Sequence, residues 1–210
     1  MRSTARAGLI GLLAALLLAS ALSAASARNL ELSEQRIRVT WSRIEFGNSL
    51  FTLSCQLTLE GSFHSRTIAK VAGLLIGSIT RTNLKSETCS GLGGGTATPK
   101  GFPWHLTYES FTGTLPSITS IRLLLSRFLM EFVVLGIRCT YGTTTDNVTF
   151  SAALNAAREV TNLTPLEGRN VGHKLEGGEF CPPELRLMST AGDGLVRVLN
   201  TTTRVRVTLI

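Results

Sequence analysis

"FTLSCQLTLE", residues 51–60, alternates without a break. Phe51, Leu53, Cys55, Leu57 and Leu59 fall on one side; Thr52, Ser54, Gln56, Thr58 and Glu60 fall on the other. A period of two over this length marks a strand with one face in a core and the other in water. It also places Cys55 on the core side, where a disulfide belongs.

The same pattern spreads outward in both directions. Upstream, "RIRVTW" (36–41) sets Ile37, Val39 and Trp41 against Arg36, Arg38 and Thr40. Downstream, "WHLTYESF" (104–111) sets Trp104, Leu106 and Tyr108 against His105, Thr107 and Glu109. At the C-terminus "ELRLMS" precedes Ala191-Gly192-Asp193-Gly194, a strong turn signal. "LVRVL", a polar break at Asn200-Thr201-Thr202 and "TRVRVTLI" follow, which predicts a three-strand meander. Many short strands separated by Gly- and Thr-rich turns indicate an all-β chain, a β-sandwich or barrel-like antiparallel fold.

Two stretches allow more than one reading. In "TIAKVAGLLIGSI" (67–79) a helical face competes with Gly73 and Gly77, each of which costs a helix ~1 kcal/mol relative to Ala. We read a short turn or helical piece at 67–72 and a strand from Leu74 to Thr82. "IRLLLSRFLMEFVVLGI" (121–137) exceeds the usual strand length of roughly 3–10 residues. It is two strands with a bend at Ser126-Arg127, or a helix. "CSGLGGGTATPKGFP" (89–103) reads as a loop, 142–149 as a linker-like sub-boundary, and 155–183 as a long irregular connection clipped by Cys181.

Residues 1–27 have the form of a secretory signal peptide. Arg2 and Arg6 precede an apolar stretch from Leu9 to Leu18, and Ala25-Ser26-Ala27 matches an A-x-A cleavage pattern. Removal leaves one β domain, 28–210, and lowers the net charge from +7 to +5. No further segment is apolar enough to be an integral membrane span, since Arg122, Arg127 and Glu131 interrupt the longest later run.

Cys55, Cys89, Cys139 and Cys181 form an even set with no C-x-x-C spacing, which in an exported chain favours two disulfides over metal. Three pairings are possible. Chain order, Cys55–Cys89 and Cys139–Cys181, lets each half close its own loop.

Catalytic signals are thin. His64 lies in "GSFHSRTIAKV" (61–71) between a phenylalanine and a serine, but neighbours in an extended chain point to opposite faces, so Ser65 does not reach it. A polar cap with Ser62 and Ser65 bonding local backbone explains the stretch. His105 and His173 stand in no metal-binding spacing, and no nucleophile elbow, phosphate loop or calcium loop occurs. No cofactor is implied. Asn147, Asn162 and Asn200 begin glycosylation sequons, which matter only in a host that glycosylates.

The remaining signal is cationic. Arg186, Arg197, Arg204 and Arg206 alternate with apolar residues, as Arg36 and Arg38 do in the first strand, and neighbouring strands would align them into a basic face. Such a face suits an anionic cell-surface polymer or lipid headgroups. Export and the lack of interleaved aromatics disfavour nucleic acid. The expectation is therefore a non-enzymatic exported β protein of the cell envelope or exterior. The alternative is a secreted hydrolase whose site gathers residues distant in sequence.

Three segments together, "TLEGSFHSRTIAKVAG" (58–73), "WHLTYESFTGTLPSIT" (104–119) and "TTTRVRVTLI" (201–210), resemble β-rich proteins secreted by bacteria that have no assigned function. The resemblance spans most of the chain after residue 27. It implies export and a β-rich fold, and no activity.

Overall fold

A computed structural model describes residues 29–48, 51–91, 95–143, 148–166, 171–189 and 194–210. The signal-peptide expectation, the turn residues Ala191 to Asp193 and the sequon residue Asn147 lie outside the described residues. The described residues contain strands and no helix. "FTLSCQLTLE" runs into a strand in which Leu53, Cys55, Leu57 and Leu59 are buried as expected, while Ser54 on the other side is buried too and accepts from Arg43 Nε at 2.8 Å.

Eight antiparallel strands close a barrel. They are β2 (Arg36–Gly47), β3 (Thr52–Phe63), β5 (Leu75–Gly91), β7 (Trp104–Thr114), β8 (Ser117–Ser126), β11 (Val148–Leu154), β12 (Val160–Pro165) and β15 (Gly194–Val198). They neighbour one another in that order, and β15 closes the ring by pairing with β2, with Val196 opposite Val39. The seam is fastened from inside. Trp41, fully buried, passes beneath Gly194 of β15, and its Nε1–H donates to the carbonyl of Leu163 in β12 at 3.2 Å.

A small sheet of β1 (Asn29–Leu32), β4 (Thr67–Ala69) and β16 (Val207–Leu209) covers one end. These strands adjoin the start of β2, the end of β3 and the end of β15, which the register brings to one rim. Leu30, Leu32, Ile68 and Val207 of the cap share a wholly apolar cavity of about 60 Å³ with barrel residues such as Val39 and Phe150. So small a void means that side chains fill the barrel.

At the other end the strands overshoot the barrel. Beyond the far half of β2 the sheet continues through β14 (Glu184–Ser189), β13 (Val171–Glu176), β10 (Ile137–Gly142), β9 (Leu129–Val134) and β6 (Gly95–Lys100). This extension curls back on itself. Phe132 of β9 meets Phe46 of β2 at 5.5 Å between ring centroids, although three strands separate them in the sheet, and it also meets Phe51 and Tyr141. Both disulfides lie here and follow chain order. Cys55–Cys89 ties β3 to β5 with Cα atoms 4.1 Å apart, and Cys139–Cys181 ties β10 to the segment before β14 at 5.7 Å.

Several sequence expectations need correction. The C-terminal meander does not form. β14 and β15 lie end to end along one edge of β2, with Ser189 opposite Ile44 and Leu195 opposite Thr40, while β16 pairs with β1. The cause is the length of β2, whose 12 residues leave room for two partners in line on the edge opposite β3. Residues 155–183 are not irregular throughout, because β12 and β13 lie there. The 89–103 loop contains β6, and the strand expected at 74–82 extends to Gly91. The bend at Ser126-Arg127 does divide β8 from β9, with Arg127 at φ 59°. Across 142–149 the chain passes from β10 in the extension to β11 in the barrel. The barrel therefore draws on strands from both sides of that stretch.

Candidate functional site: a cationic ladder on the barrel wall

The four arginines expected to form one face are dispersed. Arg186 is exposed on β14 in the extension. Arg204 pairs with Glu159 at 3.7 Å, and Arg206 bridges Glu159 through the backbone beside the cap. Only Arg197 lies on the outer wall of the barrel, and there it joins different partners.

Arg197 stands opposite Arg38 of β2, Arg38 opposite Glu60 of β3, and Glu60 opposite Arg81 of β5. Residues paired in this way share a face. Arg197, Arg38 and Glu60 point outward because their neighbours Val196, Val39 and Leu59 belong to the core, and Arg81 joins them through the register shift beside Glu60. Four adjacent strands thus carry three guanidinium groups and one carboxylate over three strand spacings, about 14 Å.

Glu60 organises the row. Its Oε1 accepts from Arg38 Nε at 2.8 Å, and its Oε2 lies 3.8 Å from Arg81. Arg38 also donates to Asn200 Oδ1 at 3.2 Å, which fixes the guanidinium between two acceptors. Arg81 stays 78% exposed, and no carboxylate lies within ion-pair distance of Arg197 among the described residues. Below the row lies a second one of Thr40, Thr58 and Asn83, whose two hydroxyls bond each other at 3.2 Å. The wall therefore offers net positive charge above neutral donors and acceptors. Sequence reading had noted Arg38 but missed Arg81 and Glu60. Counted from buried Ile79, period two would turn Arg81 inward; the register shift between Glu60 and Gly61 is what turns it outward, and no local pattern announces that shift.

A second acidic hub occupies the extension. Glu131 accepts from Lys100 at 2.6 Å and lies 3.5 Å from Arg138. The Lys100 ammonium, aided by Arg138, holds its carboxyl below the usual carboxylate range.

The histidines do not converge. His64 is exposed on the turn after β3, where Ser65 Oγ accepts from the Thr67 amide as a local polar cap would. His105, on β7, lies 3.5 Å from Arg127. His173, on β13, stands opposite Glu184 of β14. Among the described residues no group of three or more His, Cys, Asp or Glu is placed to hold a metal ion.

No family model, no curated protein and no solved structure matches the chain.

Proposed function

We propose that the protein is an exported, non-enzymatic binding module that holds an anionic, hydroxyl-rich polymer against the barrel wall. The observation carrying this reading is the register Arg197–Arg38–Glu60–Arg81, which aligns three cations on consecutive strands. Arg197 has no ion-pair partner among the described residues, and Arg81, 78% exposed, shares the single Glu60 carboxylate with Arg38, so the row keeps excess positive charge. A guanidinium presents a planar fork of donors suited to carboxylate, sulfate or phosphate. The neutral row of Thr40, Thr58 and Asn83 would contact hydroxyls of the same polymer. Export is supported by the apolar N-terminal stretch and by two disulfides, which are typical of extracellular proteins.

Chromatography on immobilised dextran sulfate tests the proposal. The parent should elute at progressively higher salt than Arg81→Gln, Arg197→Gln and the double variant, because exposed charges are screened beyond ~8 Å at physiological ionic strength. Identical elution of parent and double variant would sink it. Stronger retention on vesicles containing anionic lipid than on the polymer would replace the polymer with a membrane surface.

A further inference from the structure

The extension contains a groove of about 480 Å³ that the ladder does not use, lined by Asn48, Thr52, Pro182, Pro183, Glu184 and Arg186. That volume lies within the range of small-ligand clefts, about 300–1,000 Å³. We propose that it binds a short peptide with free termini and an apolar first residue.

Charge is the first observation. Glu184 and Arg186 are both exposed, and neither forms an ion pair among the described residues. They alternate with buried Leu185 and so point to the same outer face of β14. One unpaired carboxylate and one unpaired guanidinium in a single groove complement a ligand bearing both signs. A simple anion would satisfy Arg186 and meet repulsion from Glu184.

Spacing is the second. Two residues of strand separate the groups by about 6.6 Å. An extended dipeptide spans about 7 Å from ammonium to carboxylate. The register Arg186–Gly47–Thr52 sets Thr52 level with Arg186, so its hydroxyl lines the carboxylate end of the ligand, and the two prolines supply rigid apolar wall.

Direction is the third. Pro182 also lines a small apolar pocket with Phe51, Leu135, Ile137 and Phe180. Leu135 is 77% exposed and Phe180 75%. Leu135 sits at φ 52° in the hairpin between β9 and β10, a conformation that Asn or Gly adopts at much lower cost. An exposed leucine held there against its backbone preference is explained if its side chain serves a contact. Pro182 precedes Glu184 by two residues and Arg186 by four, so the apolar pocket adjoins the carboxylate end. The ammonium of the ligand therefore meets Glu184, its first side chain enters the pocket, and its carboxylate meets Arg186.

Titration of the ¹⁵N-labelled protein with leucyl-alanine, alanyl-alanine, N-acetyl-leucyl-alanine and leucyl-alanine amide tests this. Leucyl-alanine should shift the amides of Thr52 and Arg186 saturably, and each blocked form should bind about tenfold more weakly, the effect of losing one charge-assisted contact. In Arg186→Gln the free and amidated peptides should bind alike, in Glu184→Gln the free and acetylated peptides, and Phe180→Ala should erase the preference for leucyl over alanyl. Arg197→Gln should leave all four affinities unchanged, which separates this groove from the ladder. Equal binding of free and blocked peptides, or no shift at Thr52 and Arg186 with leucyl-alanine near 10 mM, overturns the proposal.

Discussion

Arg38 and Arg197 stand directly opposite each other across the seam that closes the barrel. Like charges in that relation destabilise a sheet by up to about 1 kcal/mol. Glu60, on the far side of Arg38, offsets the cost. Arg197→Gln should therefore leave the melting temperature unchanged or slightly raised. Glu60→Gln should cost about 0.5–1 kcal/mol, less at high salt, because it leaves three cations without a counter-charge. Thermal melts of both variants at low and high salt measure this.

Gly194 bears on the same seam. A Cβ at that position would lie 2.6 Å from Trp41 Nε1, against a fully buried ring that has nowhere to retreat. Gly194→Ala should cost about 1–3 kcal/mol through overpacking and alter the tryptophan emission. Urea unfolding followed by fluorescence reads both effects.

How much of this was legible in the sequence depends on range. The alternation at Phe51–Glu60 needs only one residue and the next, and its core side was read correctly, as was the bend at Ser126-Arg127. Gly194 was read as a turn residue, since nothing local reveals that its missing side chain makes room for Trp41. The meander failed for a similar reason. Nothing in "RIRVTW" shows that its strand continues to Gly47 and accepts two partners in line. The ladder was half visible: outward phase is local, but which arginines align is set by register among strands far apart in sequence.

The extension depends on its cross-links. Replacing Cys139 and Cys181 together by alanine opens a loop of sequence separation 42 and should cost about 3–4 kcal/mol in the chain-entropy account. Amide exchange should quicken across β9, β10 and β13 more than across β7 and β8 of the barrel. Uniform quickening would show that the two parts unfold as one.

Acid should act on Glu131. Its folded pKa is depressed, chiefly by Lys100, so the stability it contributes is present above its unfolded value near 4.3 and is lost as pH falls through the folded one. Glu131→Gln should accordingly be less stable than the parent at pH 7. The gap should close as the pH drops below about 4. Denaturant midpoints at pH 7, 4 and 3 check it, and a gap that persists at pH 3 would place the effect in packing instead.

The cap gives the chain an unusual mechanical property. Asn29 and Ile210 hold each other by two backbone hydrogen bonds of 3.1 Å at one end of the antiparallel pair β1 and β16. A force drawing these two residues apart meets the bonds one after another, like a zipper opened from its tab, and not all together as in shear. The cap should therefore peel at low load, stepwise, before the barrel seam is strained. Two handles fixed to these residues would leave the molecule from the same point, so a pulling experiment would release the cap first.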